Sequence, residues 1–139
     1  MKHYHSLIVY IIYYWFIFFL KEIIVMANFY CKCCGKKYSS LTQLTSCSCS
    51  MSSTRKHVLY EGPEQTNYYC ECCGKKYSSL TQLTSCSCSK SSTSKHIPYE
   101  GSEKSQYLCK YCGKKYSSLT LLTSSSCSKS PTGRHSPAK

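Results

Sequence analysis

The chain has 139 residues, thirteen of them cysteine and none aspartate, with a formal net charge of +12. Six glutamates are its whole acidic complement, and nothing in that set assembles a general base with a nucleophile, which argues against an enzyme. So basic a chain points to nucleic acid or another anionic partner, or simply to a self-repelling, soluble surface.

Residues 1–25 read MKHYHSLIVYIIYYWFIFFLKEIIV, with fourteen unbroken apolar or aromatic residues from Leu7 to Leu20. A spanning helix wants about 20 such residues. Three expectations stand for this leader. It is a short membrane anchor, or a signal peptide with Lys2 in front and Val25-Met26-Ala27 as a small-residue cleavage site. Or the true start is Met26, because Lys21-Glu22 can be encoded AAG-GAG, a ribosome-binding sequence at suitable spacing. The third makes the protein cytoplasmic; the first anchors it in a membrane through residues 7–20.

From Ala27 onward Ser, Thr, Lys, Cys and Tyr dominate. The stretch Cys31–His57 recurs from Cys70 to His96 and again, edited, from Cys109 to His135, at an offset of 39 residues each time. Residues 33–50 and 72–89 are one identical string of eighteen. So strict a period sets the architecture: three copies of one small unit, at 29–62, 68–101 and 107–135, after the leader at 1–25. Linkers 58–69 and 97–108 are both twelve residues long, which predicts a regular array rather than one fused core.

Within the first unit, Gly35 after Cys34 predicts a tight turn between two short strands. Ser39 or Ser40 is placed to cap a short helix through Leu41-Thr42-Gln43-Leu44. Leu41 and Leu44 share a helical face with reach to Tyr38, which predicts a miniature apolar cluster. Ser46 to Lys56 reads as loop, and Pro131-Thr132-Gly133 marks a turn there in the third copy. Val58 to Gly62 is expected to form a short strand. The expected fold is a small metal-stabilised α+β array of three zinc-finger-like units, each a β-hairpin knuckle plus a short helix, with minimal hydrophobic core. Units this small, below roughly 40 residues, need a metal or disulfides to fold.

Comparing the copies identifies the ligands. Cys31, Cys34, Cys49 and His57 match Cys70, Cys73, Cys88 and His96, and match Cys109, Cys112, Cys127 and His135. Cys33 and Cys72 instead face Tyr111, and Cys47 and Cys86 face Ser125. The complete quartet is C-x2-C-x14-C-x7-H. Three sulfurs and one imidazole suit tetrahedral Zn2+ with no open position, so three structural Zn2+ per chain are expected. Thiolate and imidazole are poor ligands for Ca2+ or Mg2+. Each occupied site would carry −1, leaving the chain at about +9. Against disulfides, thirteen is odd and the third copy holds only three cysteines. Against a thioredoxin-like redox site, no βαβ pattern surrounds the C-x2-C. Against a metallothionein-like store, the third copy drops the extra thiols and keeps the quartet.

The first half of each unit resembles a two-Cys, two-His zinc finger. Phe29, Cys31, Cys34, Tyr38 and Leu44 fall in its register, and Cys47 lands where the first His would be. That resemblance makes Cys47 and Cys86 alternative third ligands to Cys49 and Cys88, and it fails at Ser125 in the third copy. The whole unit resembles a group of small bacterial repeat proteins of C-x2-C-G…S-x-x-L…S-x-C…G-x-H units with Tyr-Glu-Gly linkers. Cys109, Cys112, Gly113, Leu119, Leu122, Cys127, Gly133 and His135 carry it best. It covers residues 29–135 and implies zinc and a small fold, not an activity.

Recurrent lysine pairs stand beside a tyrosine in each unit: Lys36-Lys37, Lys75-Lys76 and Lys114-Lys115. Charge plus an aromatic can hold phosphate and stack a base; the bland reading is turn lysines beside core tyrosines. In the finger register the base-reading positions would be Ser40, Gln43 and Ser46, with no Arg to grip a guanine. The expectation is therefore nucleic-acid binding of low sequence specificity. The alternative is a zinc-stabilised scaffold for a protein partner, membrane-bound if the leader is retained.

Overall fold

The computed structural model describes residues 28–139; the leader, with its anchor, signal-peptide and start-site expectations, lies outside the described residues. Among the described residues no helix is long and apolar enough to cross a membrane.

Each unit is one hairpin followed by one short helix, the α+β fold expected from the sequence. Strands β1 (Phe29–Tyr30) and β2 (Lys37–Tyr38) pair antiparallel, Phe29 opposite Tyr38. Helix α1 (Leu41–Ser46) follows. The second unit repeats this with β3 (Tyr68–Tyr69), β4 (Lys76–Tyr77) and α2 (Leu80–Ser85). The third has β5 (Tyr107–Leu108), β6 (Lys115–Tyr116) and α3 (Leu119–Ser124). Gly35 turns the first hairpin with φ +68°. Its N–H donates to the Cys31 carbonyl at 2.8 Å, and the Cys31 N–H donates to Lys36 at 2.9 Å. Ser40, not Ser39, caps α1: it is extended, and its Oγ accepts from the Gln43 N–H at 3.2 Å.

The segment after each histidine lies along the first strand and makes a single bridge rather than a strand. In unit 1 the bridge is Cys31 with Leu59, flanked by Lys32 N–H to Val58 O and Tyr60 N–H to Tyr30 O. In unit 3 the same pairing runs on to Ala138, whose N–H donates to Leu108 O at 2.8 Å.

The units stack directly on one another. Thr81, at the start of α2, donates its hydroxyl to the Gly35 carbonyl at 3.0 Å, and Thr120 does the same to Gly74 at 3.1 Å. Along the spine, the Tyr60 hydroxyl donates to the Tyr99 carbonyl and the Tyr99 hydroxyl to the Ala138 carbonyl. The Glu100 carboxylate is buried there and accepts from the Glu61 N–H, from Lys32 at 3.0 Å and from Lys139 at 2.6 Å.

Consequently the cores are not private to each unit. Tyr60 and Tyr30, from unit 1, pack with Tyr68, Tyr77, Leu80 and Leu83 of unit 2. Tyr99 and Tyr69 of unit 2 pack with Tyr107, Leu119 and Leu122 of unit 3. In unit 1, Leu44 joins Tyr38 as expected, but Leu41 does not; it is 45% exposed, whereas Leu80 and Leu119 are 2% exposed. The reason is positional, since a preceding unit covers Leu80 and Leu119 and none precedes Leu41 among the described residues.

Candidate metal centres

The hairpin turn, the loop after the helix and the segment closing that loop together bring four side chains to one point. The knuckle supplies Cys31 and Cys34. Cys49 follows α1 in a loop closed by the Ser48–Lys56 bridge, and that bridge sets His57 beside it. The outcome is three quartets: Cys31, Cys34, Cys49, His57; Cys70, Cys73, Cys88, His96; and Cys109, Cys112, Cys127, His135. Within each, one ligand atom per residue lies within 4.8 Å of the others. The sequence-derived quartets are thus brought together in all three units.

The geometry fits a tetrahedral ion. The Cys31 and Cys49 sulfurs are 4.0 Å apart, as are Cys70–Cys88 and Cys109–Cys127. Cys34 Sγ lies 3.6 Å from His57 Nδ1, and the corresponding distances in the other units are 3.5 Å. An ideal zinc site, with Zn–S about 2.3 Å and Zn–N about 2.05 Å, puts sulfurs about 3.8 Å apart and sulfur and nitrogen about 3.6 Å apart. A disulfide would need about 2.05 Å, and all thirteen cysteines are free. Each quartet is also closed: the first and third cysteines and the histidine are buried, and the second cysteine is half-buried.

The charge balance among the thiols differs from unit to unit. Burial alone would raise the Cys31 thiol, but His57 and the backbone N–H groups of Cys34, Val58 and Cys33 outweigh it and bring it down to about 6. Cys109 is held at about 6 in the same way, by His135 and the N–H groups of Cys112, Tyr111 and Ser136. Burial, with the Cys31 sulfur beside it, then pushes Cys34 up to about 12. In unit 2 a thiol hydrogen bond with Cys72 raises Cys70 and lowers Cys72. One thiolate suppresses the next at such distances, and a dication is what allows three together. Burial and the Lys75 charge lower His96, favouring the neutral imidazole that ligates.

Tyrosine completes the centre, a role the sequence reading did not assign. The Tyr38 hydroxyl is 2.8 Å from His57 Nε2; Tyr77–His96 and Tyr116–His135 are both 2.9 Å. With Nδ1 turned to the sulfurs, Nε2 carries the proton and donates it to the tyrosine oxygen, which fixes tautomer and ring orientation. The signal was present as a tyrosine four residues after the second cysteine in every copy.

The remaining candidates fall elsewhere. Cys47 is exposed and Cys86 half-buried, and neither belongs to a quartet, so the finger-like third ligand is not the one assembled. Cys33 and Cys72 flank the sites, their N–H groups donating to Cys31 and Cys70 sulfurs at 3.4 Å. All six paired lysines are exposed. The ammonium groups of Lys36, Lys75 and Lys114 sit 5.5–5.6 Å from the ring centres of Tyr38, Tyr77 and Tyr116. Tyr38 and Tyr77 are 8% exposed, so their faces are not free to stack a base; they are core. Of the finger-register positions, Ser40 is spent on its cap, and Gln43 accepts from Ser39 at 2.7 Å.

No family model, no curated protein and no solved structure matches this chain.

Proposed function

We propose that the protein is a tandem structural-zinc protein that binds three Zn2+ and uses the resulting basic stack to hold nucleic acid with little sequence preference. The observation that carries the metal reading is the threefold recurrence of a closed Cys3His quartet at zinc-like spacing. Four protein ligands complete a tetrahedral ion and leave no place for substrate, so the metal organises structure rather than chemistry. What supports the nucleic-acid reading is the exposed lysine pair at the same place in every unit, on a chain that stays near +9 with three sites filled. Binding would run through phosphate contacts, because Tyr38 and Tyr77 beside the lysines are engaged inside.

Metal analysis combined with filter binding tests both halves. Three zinc per chain and retention of a nucleic-acid probe at low salt, lost at higher salt, are expected. Absence of binding at low salt ends the nucleic-acid reading and leaves the zinc reading standing.

A further inference from the structure

The two junctions between units are built alike, and among the described residues each end of the stack presents one half of a third. On the leading face of a unit, the helix offers a leucine and a threonine: Leu80 and Thr81 in unit 2, Leu119 and Thr120 in unit 3. On the trailing face, the knuckle glycine offers its carbonyl: Gly35 to Thr81, Gly74 to Thr120. The approach is close. A Cβ on Gly35 would lie 2.3 Å from the Thr81 nitrogen, and one on Gly74 would lie 2.4 Å from that of Thr120.

Unit 1 has the same leading face, Leu41 and Thr42, with Leu41 45% exposed. Unit 3 has the same knuckle glycine, Gly113, in the same conformation at φ +71°, with nothing within 4 Å of its would-be Cβ. Beside it Leu108 is 43% exposed. It stands where Tyr30 and Tyr69 stand in the earlier units, and those tyrosines pack on the next core. Among the described residues the stack therefore presents two matching half-joints, each carrying an exposed leucine.

We propose that a second copy of this chain fills them, the unit 1 face of one molecule seating on the unit 3 face of another in continuation of the internal stack. The joint is heterologous, so it propagates head to tail instead of closing a dimer. It is weaker than the internal joints. Ala138 replaces the tyrosine found at 60 and 99, which removes the edge-to-face pair that Tyr60 makes with Tyr68 and Tyr99 with Tyr107, at 6.0 Å each. No linker holds the partners together either, so assembly follows concentration.

Sedimentation velocity on the full chain, in zinc, tests this with two variants at half-exposed positions, Leu41→Lys and Leu108→Lys. The wild-type chain is expected to grow beyond dimer as concentration rises. Each variant alone is expected to stay monomeric, and the two mixed to form a 1:1 pair that grows no further, since each retains the half-joint the other lacks. A wild-type chain that stays monomeric up to about 1 mM overturns the proposal, whatever then covers Leu41. So does either variant associating as the wild type does, or a mixture that remains monomeric.

Discussion

The Tyr38 hydroxyl and His57 Nε2 are 2.8 Å apart, on the side of the imidazole away from the sulfurs. Removing that oxygen frees the ring to rotate and leaves the Nε2 proton without its acceptor, while the buried phenyl ring stays in place. Tyr38→Phe is therefore expected to keep the fold and weaken metal affinity of the first site by roughly 10- to 100-fold. Chelator competition followed site by site by NMR checks this; unchanged affinity would make the tyrosine a packing residue only.

The quartets predict which cysteines matter. Cys127→Ser should lower the metal content from three ions per chain to two, and Cys49→Ser should do the same in unit 1. Cys47→Ser and Cys33→Ser should leave three. Loss of a ligand should also unfold its unit, because metal binding supplies most of the folding energy of so small a core. Native mass spectrometry reads the stoichiometry directly.

A backbone comparison between units gives a stabilising substitution. Gly133 has φ +70°, and the residues at its place in the other units, Arg55 and Ser94, are held at +57° and +55°. Side chains resist that conformation by about 1–2 kcal/mol relative to glycine. Ser94→Gly is expected to gain around 1 kcal/mol, less what glycine loses through its freer unfolded chain. Thermal unfolding of the metal-loaded protein should show a higher Tm for Ser94→Gly and a lower one for Gly133→Ser.

The joint between units 1 and 2 should weaken in acid independently of the metal. Burial works to raise the Glu100 carboxyl, but Lys139, Lys32 and the Glu61 N–H together hold it below its ordinary 4.5. A carboxylate depressed on folding contributes stability above its unfolded pKa and loses it as pH falls through the folded value. The contribution is thus complete above about pH 4.5 and fades below it. Glu100→Gln should remove that dependence, seen as a flattened pH profile of hydrogen exchange at the Glu61 amide.

The quartets were legible in the sequence because the third copy varies elsewhere: Tyr111 and Ser125 stand where Cys33 and Cys47 do, and the residues common to all three copies are the ones the fold brings together. The hairpin, cap and loop were legible for local reasons, through Gly35, Ser40 and the Ser/Thr run. What stayed hidden was set by neighbours. Leu41 and Leu80 sit in the same eighteen-residue string, so no reading of that string distinguishes the exposed one from the buried one. Tyr60 read as part of a linker strand, yet it belongs to the core of the following unit. Tyr38 read as core, and is, but which ring nitrogen its hydroxyl meets is a matter of three-dimensional placement.

The hydroxyl-to-carbonyl step from Thr81 to Gly35, repeated from Thr120 to Gly74, spans 46 residues each time. Every unit carries both halves of that step, so an in-frame copy inserted at a linker would find its seat above and below already cut. Length is then a free variable of this architecture. A gene of this kind could gain or lose a storey by unequal crossing-over without inventing a surface, and strings as alike as 33–50 and 72–89 would give such an exchange its register.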